Sequence, residues 1–444
     1  MRRLLFALAL FACIAGAESA GAQPGGTHPG GTQPEGASAA DAPPQAADAP
    51  PLSSRAHVSL LTILPGGSPA SAFGHSALRV RDPARGLDRT YNYGTYNFRE
   101  PYFIPKFVYG QLTYLLVAAP FQPFLRKYQR LGRPVIEQEL RLTPAQEQRL
   151  FAFLEWNTRP ENRAYEYDFL FDNCATRIRD ALRDALGTRL RLEKATLPRR
   201  SFREHLDRFV AGMPLLDFGF DLALGLPTER TAVPREAMFL PEYLMEGFAG
   251  ATVGTGADRR RPLVTRTDTL FWEKGAQFPA QAAFPWVTVL AWALFAAGAA
   301  LTGQRWARGR PPLAWPDVLL FGGVGAGGVV VWFLAFLSDH EVTRQNLNVV
   351  WMWPTHLLLA GTLLARRGGR LTRGYLLAGG AAALLLAVGW PLWPQDLHAA
   401  AFPLVALVVL RSVWRGRMLT TRAPRTPAQS NGEAAPRRER TETR

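Results

Sequence analysis

The chain has 444 residues, with 51 Lys plus Arg against 36 Asp plus Glu, a net charge of +15 and two cysteines. So few cysteines exclude a disulfide framework and a four-cysteine zinc site. The mean hydropathy of −0.05 averages two unlike halves: globular composition over 56–250, and apolar runs separated by short basic loops over 284–414.

At the N-terminus, Arg2 and Arg3 precede an apolar run over 4–15 and the small residues Ala20-Gly21-Ala22. This is the pattern of a signal peptide over 1–22. Leu10-Phe11-Ala12-Cys13 also loosely resembles a lipobox; in that alternative Cys13 is the lipidated first residue. Residues 23–52 are rich in Gly, Pro, Ala and Gln and nearly lack large apolar side chains, so they are expected to form a disordered tether.

A globular domain is expected over 53–250. His57-Val58-Ser59-Leu60-Leu61-Thr62-Ile63-Leu64 reads as a strand. A second strand begins near His75 in Phe73-Gly74-His75-Ser76-Ala77-Leu78-Arg79-Val80. Asp82-Pro83-Ala84-Arg85-Gly86 has turn chemistry, and 89–94 returns antiparallel to the second strand. A turn centred on Ala84–Arg85 sets His75 across from Tyr93 and Gly94, which makes Asn92 and Tyr93 candidates to orient its imidazole.

The stretch Phe98, Tyr102, Phe103, Ile104, Phe107, Tyr109, Tyr114, Leu115, with Lys106 inside it, reads as core, as an acyl-lining groove or as a segment that dips into lipid. Thr143-Pro144-Ala145-Gln146 carries a helix start with a capping box. A second helix starts at Cys174, capped by Asp172 or Asn173, and stops at Gly187. Segments 201–210 and 236–247 also look helical, so the class is α+β. Residues 251–282 read as a juxtamembrane connector.

The second half reads as a five-helix transmembrane domain over 283–414, with spans at 284–301, 318–337, 349–365, 375–392 and 399–410. Glycines 322, 323, 325, 327 and 328 permit close helix packing. Arg305, Arg308 and Arg310, then Arg366, Arg367, Arg370 and Arg373, then Arg411, Arg415 and Arg417 fall on one side, with a disordered basic tail over 415–444. Positive loops lie in the cytoplasm, so the globular half and the loop 338–348 face outward, as the signal peptide also requires. Much of the net charge is thereby topogenic, and nucleic acid is excluded as a partner. There is no zinc-like Cys/His spacing, no Gly-rich phosphate loop and no internal repeat, so neither metal nor cofactor is expected.

Removal of the signal peptide leaves Cys174 as the lone thiol of an exported chain. At a helix start, the open N–H groups and the dipole favour thiolate. A thiol there and a histidine on a strand are the two parts of a Cys–His nucleophile, in which the base takes the thiol proton and a third polar group fixes the ring. The bland alternatives are a satisfied strand-end histidine and a small buried hydrophobe.

The segments Phe73–Val80, Tyr91-Asn92-Tyr93-Gly94-Thr95-Tyr96 and Tyr167-Asp168-Phe169-Leu170-Phe171-Asp172-Asn173-Cys174-Ala175-Thr176 resemble the Lnb family, as does the loop 338–348. The resemblance runs from about His57 to Trp414. It implies a periplasmic domain of circularly permuted papain-like fold, the group of lecithin:retinol acyltransferase and permuted NlpC-type hydrolases, on a membrane domain. It further implies a lipoprotein N-acyltransferase of the bacterial inner membrane. Cys174 would take an acyl chain from a phospholipid and pass it to the α-amino group of a lipoprotein's lipidated N-terminal cysteine. His75 would act as base and acid, oriented by Asn92 in preference to Tyr93. Asn173, His340, Arg344 and Asn346 are candidate substrate contacts. His356, a few residues into the third span, is a functional candidate or a structural hydrogen-bonding group. The alternative is a cysteine hydrolase of peptidoglycan peptides or lipids, with water as acceptor. A third reading is a degenerate, structural domain.

Overall fold

The structure is a computed structural model that describes residues 49–96, 101–192, 197–254, 260–274 and 281–419. The signal peptide with Cys13, nearly all of the tether, Phe98 and the tail beyond 419 lie outside the described residues.

The strands are β1 (His57–Ile63), β2 (His75–Asp82), β3 (Leu87–Thr95), β4 (Thr113–Pro120), β5 (Val135–Leu140), β6 (Ala164–Glu166), β7 (Leu190–Arg191), β8 (Thr252–Gly254), β9 (Arg260–Pro262) and β10 (Val264–Phe271). The helices of the first half are α1 (Phe103–Tyr109), α2 (Phe121–Arg130), α3 (Pro144–Asn157), α4 (Cys174–Leu186), α5 (Phe202–Val210), α6 (Pro214–Ala223), α7 (Pro234–Ala237) and α8 (Pro241–Gly250). Those of the second half are α9 (Trp286–Ala307), α10 (Ala314–Phe336), α11 (His356–Leu364), α12 (Arg370–Val388) and α13 (Ala401–Met418).

The main sheet has the order β10-β5-β1-β2-β3-β4-β6, with antiparallel neighbours throughout. Alternation divides its side chains between two layers. Leu60, Leu78, Tyr91 and Tyr93 join Ile178 and Leu182 of α4 in the larger core. Leu61, Ile63 and Ala77 pack under Phe121, Phe124 and Tyr128 of α2. The α+β class therefore follows from an antiparallel sheet with helices on both faces. The expected connector over 251–282 is a different object in part: β10 within it pairs with β5 as an edge strand.

Several helix ends follow the sequence directly. Thr143 and Gln146 form the reciprocal capping box of α3, and Ser201 with Glu204 does the same for α5. The single helix expected over 236–247 is instead two, α7 and α8. Pro241 has no N–H to continue a helix and opens the second one at its first position.

In the second half, α9, α10 and α12 are long and apolar enough to cross a membrane. The span expected over 349–365 is not one helix. A short 3-10 turn covers Leu347–Val350, and α11 begins only at His356, because Pro354 interrupts the hydrogen-bond ladder between them. The helix at the span expected over 399–410, α13, runs Ala401–Met418, is not among those long and apolar enough to cross, and includes arginines assigned above to the cytoplasmic side. Arg411 is buried and donates to Asp317 (2.6 Å) and to Thr302 (2.8 Å), while Arg415 also pairs with Asp317. These charges join α9, α10 and α13 besides marking topology. The glycine-rich face of α10 does permit close approach: a Cβ on Gly328 would stand 2.3 Å from the carbonyl oxygen of Met352.

Candidate active site

The loop before α4 is built by its own polar side chains. Asp168 Oδ1 accepts from the N–H groups of Leu170 (2.8 Å) and Phe171 (2.7 Å), and the backbones of Asp168 and Asp172 bond reciprocally. This tight turn delivers Asn173 to the helix N-cap. Its Oδ1 accepts from the N–H groups of Ala175 (2.8 Å) and Thr176 (3.0 Å), and its Nδ2 donates to Phe169 and Phe239 carbonyls. Asn173 is therefore committed to holding the helix start. Asp172 is not the cap; it pairs with Arg177. Cys174 follows as the first helical residue, buried, with 9% of its surface exposed.

The β2–β3 register pairs Leu78 with Tyr91 and Asp82 with Leu87, and its continuation sets His75 level with Gly94. Alternation then puts His75, Ala77 and Asn92 on one face and Tyr93 on the other. His75 Nε2 and Asn92 Oδ1 form a short hydrogen bond. Asn92 Nδ2 donates to Thr95 Oγ1 (3.3 Å), which leaves its carbonyl oxygen for the ring. With the Asn92 oxygen as acceptor, Nε2 carries the proton and Nδ1 is the basic atom. Tyr93, the other orienting candidate, donates its hydroxyl to Asn157 (2.8 Å) on the opposite face.

Gly94 lies close to both groups. It has φ +88°, and the β3–β4 ladder is irregular between Asn92 and Thr95. A Cβ on Gly94 would stand 3.6 Å from Cys174 Cβ and 3.8 Å from His75 Cε1. The thiol-bearing carbon and the imidazole thus both border the small space that a Gly94 side chain would fill. An isolated glycine in a strand is a sign of a bulge or a close approach, and it is the signal that marks this position in the sequence.

Burial dominates the electrostatics. It lowers the His75 pKa to about 4, against the hydrogen bond to Asn92, which raises it, and with a further lowering by Lys127. It raises the Cys174 thiol to about 11, although the backbone N–H groups of Ser76, Ala175 and Cys174 and the charge of Arg133 pull the other way. The helix start does pull toward thiolate, as expected, but desolvation outweighs its N–H groups. Burial thus pushes both groups toward their neutral forms.

The other candidate contacts are elsewhere. Asn346 and Asn348 are buried and cap the C-terminal end of α6, whose last carbonyls have no partner within the helix. Asn346 Nδ2 donates to Leu222 (2.8 Å) and Ala223 (3.0 Å), and Asn348 Nδ2 to Asp221 (3.0 Å). Gln395, from the other outer loop, donates to Leu224 (2.9 Å). His340 bonds the carbonyl of Phe107 at the end of α1 (3.1 Å). Arg344 is exposed. His356 is buried between the Trp351 carbonyl (3.1 Å) and the Tyr375 hydroxyl (2.9 Å). Arg79, from the His75 strand, is also structural: it pairs with Asp88 and Glu137 and stacks over Phe121.

Against this geometry, comparison with protein families gives two matches in one chain. The Lnb N-terminal periplasmic domain matches residues 51–208, and the Lnb transmembrane domain matches residues 281–423. The chain belongs to the Lnb family. It is accordingly a membrane protein with a periplasmic N-terminal domain. No curated protein and no solved structure matches it. Both elements of the site, the His75 strand pair and the Asn173-Cys174 helix start, fall within the periplasmic match.

Proposed function

We propose that this Lnb-family protein is a lipoprotein N-acyltransferase of the inner membrane, with a papain-like periplasmic domain and Cys174 as nucleophile. The observation that carries the reading is that Cys174 and His75 both border the space a Gly94 side chain would fill, with His75 Nε2 engaged by Asn92.

In the first half-reaction, His75 Nδ1 takes the thiol proton as Sγ attacks an ester carbonyl of a phospholipid. The S–C bond forms, the ester C–O bond breaks, and the leaving alkoxide takes the proton back from His75 as a lysophospholipid. The Cys174 N–H at the open helix end and a neighbouring donor hold the oxyanion. In the second half-reaction, the neutral α-amino group of a lipidated N-terminal cysteine attacks the thioester. An N–C bond forms, the S–C bond breaks, and the amine proton passes through His75 to the sulfur. A neutral resting pair suits this sequence, because it exposes no thiolate to oxidation before substrate binds. No metal or cofactor takes part.

The test is mass spectrometry of lipoprotein N-termini in cells that lack their own N-acyltransferase and carry this protein or its Cys174→Ser variant. The expected result is a third acyl chain with the parent only. Released fatty acid without an amide would sink the transferase reading and leave hydrolysis, with water as acceptor. A third chain in the variant would remove Cys174 from the mechanism.

A further inference from the structure

The short helix α1 is built against the usual distribution of side chains. Tyr102, Ile104 and Tyr109 are 78%, 47% and 38% exposed, within eight residues that carry one charge, Lys106. Exposed apolar groups this dense mark a contact surface. Their surroundings identify what they touch. The Tyr109 ring packs edge-on against Phe333 of α10, with centroids 5.8 Å apart. The Tyr109 carbonyl accepts from Asp339 (2.7 Å), and Gln111 donates to the Asp339 carboxylate (2.8 Å). Gly110, at φ +91°, runs so close to the loop that a Cβ there would stand 3.3 Å from the His340 nitrogen. Phe333 lies about one helical turn, roughly 5 Å, inside the outer end of α10. That end carries Phe336 and Leu337, 61% and 59% exposed. The end of α1 is thus held against the last turn of α10, a helix long and apolar enough to cross a membrane, and both carry exposed apolar side chains.

The opposite face of α1 leads to the thiol. Phe107 stacks on Phe103 (6.4 Å), Phe103 on Tyr96 (5.6 Å), Tyr96 meets Tyr114 edge-on (5.2 Å), and Tyr114 stacks on Tyr167 (4.1 Å). Tyr96 is two residues beyond Gly94, and Phe103, Tyr114 and Cys174 belong to one apolar cluster. A file of packed aromatic rings therefore runs from α1 to the apolar cluster that contains Cys174.

We propose that the exposed face of α1 is seated among the acyl chains of the outer leaflet, and that its Phe103 face, continued by Tyr96, Tyr114 and Tyr167, is the route by which a phospholipid acyl chain reaches Cys174. The route rests on the acyltransferase reading above; the seating of α1 does not. The two are tested separately. For the seating, Ile104→Cys in a Cys13→Ala, Cys174→Ser background receives a nitroxide label. The protein is placed in vesicles of phosphatidylethanolamine and phosphatidylglycerol, and collision with oxygen and with a water-soluble nickel chelate is measured. Label on Ala84→Cys, in the turn at the far end of the β2–β3 hairpin, is the aqueous reference. Preferential oxygen collision at 104 but not at 84 supports the seating. Equal nickel collision at both positions overturns it, and protection of 104 from both reagents means that protein, not lipid, covers α1 and also overturns it.

For the route, thioester formation on Cys174 is read by intact-protein mass spectrometry for the parent and for Ile104→Asp. A carboxylate forced into the interface is expected to slow acylation from vesicle phospholipid about tenfold. Acylation from a water-soluble short-chain phosphatidylcholine should change less than about twofold, which also shows that the variant is folded. Equal rates from vesicles overturn the route. A parent that forms no thioester with either donor overturns the acyltransferase reading and the route with it, while the label result still decides the seating.

Discussion

Buried polar groups are treated differently at the seam between the two halves and beside Cys174. At the seam, Asn346, Asn348 and Gln395 spend their amides on the open carbonyls at the end of α6. Beside Cys174, His75 has Nε2 engaged and Nδ1 outside that bond, the thiol is buried as a neutral group, and Ser76 Oγ is buried with no hydrogen-bond partner. Saturated groups hold a geometry; groups with capacity left over can exchange protons. The difference teaches that polarity and location on the outer face do not by themselves mark a substrate contact, because at the seam such groups are spent on holding the end of α6.

This contrast is breakable by substitution. His75→Ala should lower thioester formation on Cys174 about a thousandfold and leave the thermal unfolding midpoint in detergent nearly unchanged; a loss below tenfold would remove His75 as the base. Gly225→Ala should do the reverse. Its Cβ would stand 1.9 Å from the Arg344 carbonyl oxygen, which is backbone and cannot swing away. Overpacking there should cost about 3 kcal/mol of stability, read as a lowered unfolding midpoint, while whatever protein stays folded forms the thioester at the parent rate. An unchanged midpoint would show that the seam is looser than this close approach requires.

The pH dependence sharpens the other side. Only neutral His75 can take the thiol proton, and burial lowers its pKa from 6.5 to about 4. Thioester formation should therefore be level through neutral pH and fall as pH drops through about 4. An acid limb centred at the ordinary imidazole value of 6.5 would mean that the ring is well solvated in the working enzyme. The smallest effect is expected at Tyr93→Phe. Loss of the hydrogen bond to Asn157 should cost about 1 kcal/mol with no change in thioester formation; a large kinetic loss would contradict its position on the far face of the sheet.

Much of the site is legible in the residues themselves. The hairpin turn at 82–86 sets the β2–β3 register, and register sets which residue stands near His75. The choice between Asn92 and Tyr93 then follows from strand alternation and needs no long-range contact. The helix start at Cys174 is legible from the Asp-Asn-Cys pattern, but that pattern leaves the cap open between Asp172 and Asn173. Only the Asp168 turn and the Phe239 carbonyl, from a distant segment, assign it to Asn173. The third span fails at Pro354, where composition reads as apolar continuity and the backbone reads as a break. Asp317 gives no signal, because one acidic residue at a span end carries no pattern of its own.

The sequence by itself determined the elements whose causes are local: the capping boxes, the β2–β3 turn, the apolar runs and the basic loops that orient them. It also singled out Cys174 and His75 as the pair proposed to serve as nucleophile and base, since residue identity is what marks such candidates. The tertiary structure decided what depends on groups far apart in the chain. The loop 338–348 became a cap for α6 and a brace for α1, because helix carbonyls left open in the periplasmic half find their donors there. The thiol became a neutral group, because desolvation depends on everything packed around a side chain, and no window of neighbouring residues contains that information.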